Sequence, residues 1–163
     1  MTEWAVIDYV TEEVQRQGHD VLRHDGIARV GWMLNAWSEA LLWLEYATDP
    51  PQKVPNITLS MIIDLGHRIE PAKNARDRVR ECGVRVSPRI CPPPDRVVPL
   101  LQALLEQQAA LPPLEFYKQF ELIHPFVDGN GRTGKILYNA LNSSLLKPIF
   151  PPNTLFGDWI QNP

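Results

Sequence analysis

Sixteen prolines in 163 residues divide this chain into separate helical segments, because proline inside a helix removes a backbone hydrogen bond and clashes with the preceding turn. TDPPQKVPN carries prolines at 50, 51 and 55 and must end the helix before it. CPPPD and LPPLE put proline where a helix begins, a position at which the missing N–H is not needed. Between these breaks the apolar residues recur at helical spacing. Val6, Ile7, Val10 and Val14 predict a first helix from Trp4 to Gln17. Val30, Met33, Leu34, Trp37, Leu41 and Leu44 predict a longer one from Ile27 to Tyr46, whose broad apolar face marks it as central. Further helices are expected over 57–67, 96–108, 114–123 and 132–145, with 70–82 polar and helical or irregular. The tail, 148–163, is expected to wrap the surface with one short helix.

One stretch changes period. Val84 and Val86 alternate with Arg85 and Ser87, Pro88 punctuates, and Ile90 follows Arg89, a pattern that reads as a hairpin. The expected fold is therefore all-α with one small β-hairpin, in a single domain long enough to bury its own core. A net charge of -3 without long runs of either sign points away from nucleic acid. The N-terminal segment is acidic and amphipathic, and no window approaches a bilayer span, so a cytoplasmic protein without a membrane partner is expected. Cys82 and Cys91 have neither metal-ligand spacing nor the count of a disulfide framework, and read as inert thiols.

Residues 123–135, IHPFVDGNGRTGK, are hard to explain as packing. Gly129 and Gly131 before a helical pattern allow a tight turn and close approach, and the helix start behind them is a natural phosphate cradle. Arg132 offers a fork of donors and Lys135, one turn on, a point charge. Asp128 at the mouth suits Mg²⁺ shared with nucleotide phosphates, and His124 can take a proton from a hydroxyl near neutral pH. Phe126, an aromatic among polar residues, reads as an inward anchor. His19, His24 and His67 have no partners at ligand spacing, and Arg76, Arg78, Arg80, Arg85 and Arg89 read as a solvated basic face.

HPFVDGNGRTGK resembles the signature of the Fic family, His-x-Phe-x-Asp/Glu-Gly-Asn-Gly-Arg-x-x-Arg, at every position but the last, where Lys135 replaces the second arginine. The likeness extends to the GVRV hairpin and to the helices on either side of the loop. It covers roughly 57–152, while the N-terminal helices within 1–47 are less distinctive. The resemblance implies a Fic-type helical core and transfer of AMP from ATP to a Ser, Thr or Tyr hydroxyl of a target protein. It implies His124 as general base and Asp128 as the Mg²⁺ ligand. Asn130 and the Gly129 and Gly131 amides would fix the phosphates. Arg132 would neutralise their charge, with Lys135 a looser clamp than arginine. Residues Gly83, Val84, Arg85, Val86, Ser87, Pro88, Arg89 and Ile90 would form the flap that aligns the target as an added strand.

The family's inhibitory helix, Ser/Thr-x-x-x-Glu-Gly/Asn, has no match; SMIIDL at 60–65 carries aspartate and the wrong following residue. Three explanations stand open: a separate antitoxin-like partner chain, no inhibition, or joint loss of arginine and lock. Other reactions in the family also stand as alternatives, namely Doc-like phosphotransfer and transfer of UMP or phosphocholine, beside a nucleotide-binding pseudoenzyme. Intact glycines favour nucleotidyl transfer over phosphotransfer, and an intact His124 and Asp128 speak against a pure binder.

Overall fold

In a computed structural model, residues 2–44 and 54–152 are described. Prolines 50 and 51 of the predicted break, and the predicted short helix of the tail beyond 152, lie outside them. Among the described residues the chain forms six helices and one hairpin. These are α1 (Thr2–Arg16), α2 (His24–Trp43), α3 (Leu59–Ile69), β1 (Arg85–Val86), β2 (Arg89–Ile90), α4 (Pro94–Glu106), α5 (Pro113–Ile123) and α6 (Asn130–Leu141). The all-α reading with a single hairpin holds.

Helix boundaries depart from expectation at both ends, most at the end of α6, which stops at Leu141 rather than 145. Helices α2, α4 and α6 begin two or three residues before their apolar patterns, because a first turn is set by backbone geometry and end groups rather than by the buried stripe. Thr58 caps α3 by accepting the Met61 amide at 3.3 Å. The stretch between α3 and the hairpin takes the irregular of its two expected forms.

Helix α2 is central, as its broad apolar face predicts. Its Trp37 is fully buried and donates its indole N–H to Leu145 O at 3.0 Å. Val10 and Val14 of α1, Met33 and Trp37 of α2, Ile62, Leu65 and Ile69 of α3, and Phe116, Phe120, Ile136 and Leu137 of α5 and α6 share one continuous core. Gln108 braces the entry to α3 by bonding both the amide and the carbonyl of Ile57, at 2.8 and 2.9 Å. Asn139 ties α6 to the segment after it, accepting from the Ile149 amide at 2.8 Å and donating to the Ile149 carbonyl at 3.1 Å.

Helices α5 and α6 form a tight pair around the 124–129 loop. Gly134 permits it: a Cβ there would lie 2.6 Å from Glu121 Oε1 and 2.8 Å from the Tyr117 ring. The hairpin is minimal, with Arg85 opposite Ile90 and Val86 opposite Arg89 around a cis Ser87–Pro88 tip. Cys82 and Cys91 are both free thiols. No helix among the described residues is long and apolar enough to cross a membrane.

Candidate active site

The loop begins where α5 stops. His124 closes that helix in the left-handed region, φ 52 and ψ 63, with its amide on Phe120 O at 3.0 Å. The last carbonyls of a helix have no intrahelical donors, and here two arginines supply them. Arg89 of the hairpin bonds Glu121 O at 3.0 Å and Leu122 O at 2.7 Å. Arg80 bonds His124 O at 2.7 Å and approaches Ile123 O at 3.4 Å. Both belong to the group expected to be a solvated basic face. Arg80 is instead buried, also donating to Cys82 O and Pro92 O, so that it pins the hairpin base to the 124–129 loop.

These contacts set the state of His124. Burial lowers its pKa to about 4, and the Arg89 and Arg80 charges push the same way, against the Glu121 carbonyl and the Asp128 carboxylate. Its Nδ1 is buried and makes no hydrogen bond. The imidazole is neutral across the physiological range.

Four residues on, Asp128 is held from several sides. Asn74 accepts the Asp128 amide at 3.3 Å and donates to the Asp128 carbonyl and to Gly66 O, each at 2.8 Å. That bidentate clamp fixes the loop to α3. Asp128 Oδ1 accepts the Gly129 amide at 2.6 Å, and Oδ2 is paired with the Lys73 ammonium. Partial burial opposes the charge, but Lys73, the Gly129 amide and the Arg132 guanidinium outweigh it, and the carboxyl titrates below its usual range. His67, expected to be bland, steadies the clamp through Nδ1, 2.9 Å from Asn74 O.

The turn into α6 is stereochemically demanding. Gly129 has φ 76, and a Cβ there would lie 2.5 Å from Ile69 Cγ2, so glycine is required on both counts. Phe126 is buried as expected, its ring filling the space a side chain on Gly66 would need. Asn130 spends its side chain within the loop: Oδ1 accepts the Phe126 amide and Nδ2 donates to the Phe126 carbonyl, both at 2.9 Å. The Asn130 side chain, expected to fix phosphate, is thus engaged within the loop, and the Gly129 amide is committed to Asp128. At the start of α6 the amides of Asn130, Gly131 and Arg132 have no carbonyl ahead of them in the helix.

The two cations of the motif are both paired. Arg132 is 1% exposed and lies 3.4 Å from Glu70 Oε2 and 3.6 Å from Asp128 Oδ1. Glu70, itself 1% exposed, carries Arg29 on its other oxygen at 3.0 Å, forming a buried Arg–Glu–Arg triad between α2 and α6. Lys135 reaches across to α1, where its ammonium meets Glu13 Oε1 at 2.7 Å. Glu13 has no exposed surface, and the same oxygen accepts Gln17 Nε2 at 2.8 Å. A cavity of 230 Å³ lies beside this pair, lined also by Arg16, Tyr117 and Phe150.

Sequence reasoning thus found the loop but missed Glu13, Glu70, Lys73, Asn74 and the role of Arg80. Each acts from 44 or more residues away in the chain, where spacing carries no signal. The inhibitory-helix pattern could not find Glu13, because Tyr9 stands four residues before it and Val14 comes after it.

The Fic/DOC family model matches residues 56–141. A protein adenylyltransferase Fic from Nematostella vectensis is 29% identical over 146 residues, a match covering 83% of this chain and 31% of that protein. A probable protein adenylyltransferase from Aquifex aeolicus is 41% identical over 61 residues, covering 32% of this chain and 19% of that protein. Among solved structures, a Fic family protein from Desulfovibrio desulfuricans superposes with a TM-score of 0.68 at 18% identity, over 90% of this chain and 51% of that one. Fic-1 from C. elegans gives 0.59 at 21% identity, over 92% of this chain and 47% of that one. The chain thus spans about a third of the Nematostella relative and half of these structures. With the family model covering more than half of its length, the fold shared with solved Fic proteins and the signature loop at the head of α6, this chain belongs to the Fic/DOC family.

Proposed function

We propose that this chain transfers AMP from ATP to a Ser, Thr or Tyr hydroxyl of a target protein. The observation that carries the reading is the unlike charging of one loop: a neutral imidazole at His124 and an ionised carboxylate at Asp128, both on the loop that leads into the first turn of α6. In that reaction the target oxygen attacks the α-phosphorus, the bond to the bridging oxygen breaks, and pyrophosphate leaves. His124 takes the hydroxyl proton. The α6 amides and Arg132 meet phosphate charge, so that positioning and electrostatics supply most of the rate. Asp128 Oδ2 would hold Mg²⁺ together with nucleotide phosphates, and the bound ion would supply charge neutralisation at their oxygens. No group of three metal-ligating side chains occurs among the described residues, which suits an ion whose other ligands are phosphate and water. The relatives named as adenylyltransferases support the same class of reaction.

Residues 83–90 serve as the flap. Val86 and Ile90 leave it 39% and 78% exposed, apolar side chains available to a strand added along the hairpin. The Glu13–Lys135 pair favours a lock inside the chain over a separate inhibitory one, since a phosphate reaching Lys135 must first separate it from Glu13.

The test uses ATP labelled on the α phosphate and, in parallel, on the γ phosphate, with Mg²⁺ and cell lysate as acceptor. Wild type and Glu13→Gln should place α label on protein, Glu13→Gln faster, and His124→Ala should place none. Entry of γ label alone would replace the reading with phosphotransfer. Absence of both labels from Glu13→Gln, with ATP bound, would overturn catalysis.

A further inference from the structure

We propose that Lys73 is a positioning residue that occupies the metal's place on Asp128 in the unloaded site and passes to the nucleotide phosphates when the metal takes that carboxylate; this rests on the reading of Asp128 above. Of the two Asp128 oxygens, Oδ1 accepts the Gly129 amide and lies 3.6 Å from an Arg132 guanidinium nitrogen, which leaves Oδ2 the better placed for a metal. Lys73 sits on Oδ2. A divalent cation and an ammonium cannot share that oxygen without strong repulsion, so loading the site requires Lys73 to let go.

The remaining cations of the site are held by buried carboxylates that the metal does not claim. Arg132 is paired with Glu70, both 1% exposed, and Lys135 with the buried Glu13. Lys73 alone of the three is half exposed, its side chain at 47%, and its anion is the one the metal claims. Nor can it drift away. Its amide is bonded to Glu70 O at 3.1 Å, and the adjacent Asn74 is clamped to the Asp128 backbone. The ammonium therefore stays within a side chain's length of the metal and of any phosphate the metal carries. Lys73 and Arg78 also line a 310 Å³ cavity beside the loop, which gives the released side chain open space to move through.

Two measurements on the full chain separate this role from a plain surface ion pair. Water-proton relaxation titrations with Mn²⁺ alone should show Lys73→Met binding the ion roughly three- to tenfold more tightly than wild type, since a competing charge is gone. Titrations with Mn²⁺ and ATP together should show the same variant binding more weakly by a similar factor. Lys73→Arg, which keeps the charge, should stay near wild type in both. Unchanged or weaker Mn²⁺ binding by Lys73→Met without nucleotide overturns the proposal, as does unchanged binding of the Mn²⁺–ATP pair. Asp128→Asn tells apart the deeper failure: if it binds Mn²⁺ and ATP as wild type does, Asp128 is not the metal ligand and the functional reading falls with Lys73. If Asp128→Asn loses the pair while Lys73→Met leaves both titrations unmoved, only the role of Lys73 is wrong.

Discussion

His124 and Asp128 stand four residues apart on one loop, and the protein treats them in opposite ways. At the His124 end, carbonyls are covered by Arg80 and Arg89 while the ring itself receives no hydrogen bond at Nδ1. Burial and nearby positive charge then favour the neutral form. At the Asp128 end, donors converge on the side chain: the Gly129 amide, Lys73 and Arg132 all favour the charged form. The difference teaches that the site is poised by allocation of donors. Backbone acceptors near His124 absorb the arginines, and the carboxylate near α6 absorbs the rest.

The largest test of this division removes the base. His124→Ala should lower transfer by about 10²–10⁴-fold while leaving the far-ultraviolet dichroism near wild type. A comparable rate in the variant would end its assignment as base. Next comes the lock: Glu13→Gln should raise transfer roughly tenfold or more, if at least ~1.4 kcal/mol of the buried pair is lost on nucleotide entry. On motif grounds alone Lys135→Arg would be a gain of activity. With Glu13 in place its guanidinium can fork onto that carboxylate, so the gain should appear only in the Glu13→Gln background.

Smaller effects sharpen the comparison. Asn74→Ala strips the clamp from Asp128 and leaves the Asp128 amide and carbonyl without their side-chain partner. Chemical denaturation should show a loss of about 1–3 kcal/mol, with metal–nucleotide affinity falling while the His124 titration stays put. Arg89→Gln does the reverse, raising the His124 pKa and moving the acid limb of kcat/KM to higher pH without weakening metal binding. A limb that moves downward would contradict the electrostatic account of the base.

Glu121 should affect stability rather than transfer, and with a clear sign. Burial raises its carboxyl to about 7, against the pull of Lys135 and Arg89. Its unfolded pKa is near 4.5, so its contribution to stability is present in full below that value and is lost as pH rises through 7. Glu121→Gln should therefore be more stable than wild type at pH 8, by about 2–3 kcal/mol, and nearly equal to it at pH 4. Equal melting temperatures at both pH values would mean that the carboxyl is not held neutral.

The signature loop was legible because its chemistry is contiguous: histidine, aspartate, glycines and arginine fall within one turn and one helix start. Helix interiors were legible through their apolar period, as in Val10 with Val14 or Phe116 with Phe120. The residues that support the loop were not. Glu70 and Asn74 lie in a segment with no period at all, and Arg80 looked like its exposed neighbours Arg76 and Arg78, because burial of a charge depends on partners supplied by the tertiary fold. Glu13 on α1 and Lys135 on α6 are separated by most of the chain, and only helix packing brings them to 2.7 Å.

The most direct measurement of the central claim is an NMR pH titration of the His124 imidazole in the nucleotide-free protein. The account predicts a midpoint near 4, with the ring neutral throughout the range in which Asp128 is ionised. A midpoint at or above the ordinary histidine value of about 6.5 would contradict it, because the two ends of the loop would then not be held in opposite charge states by the protein around them.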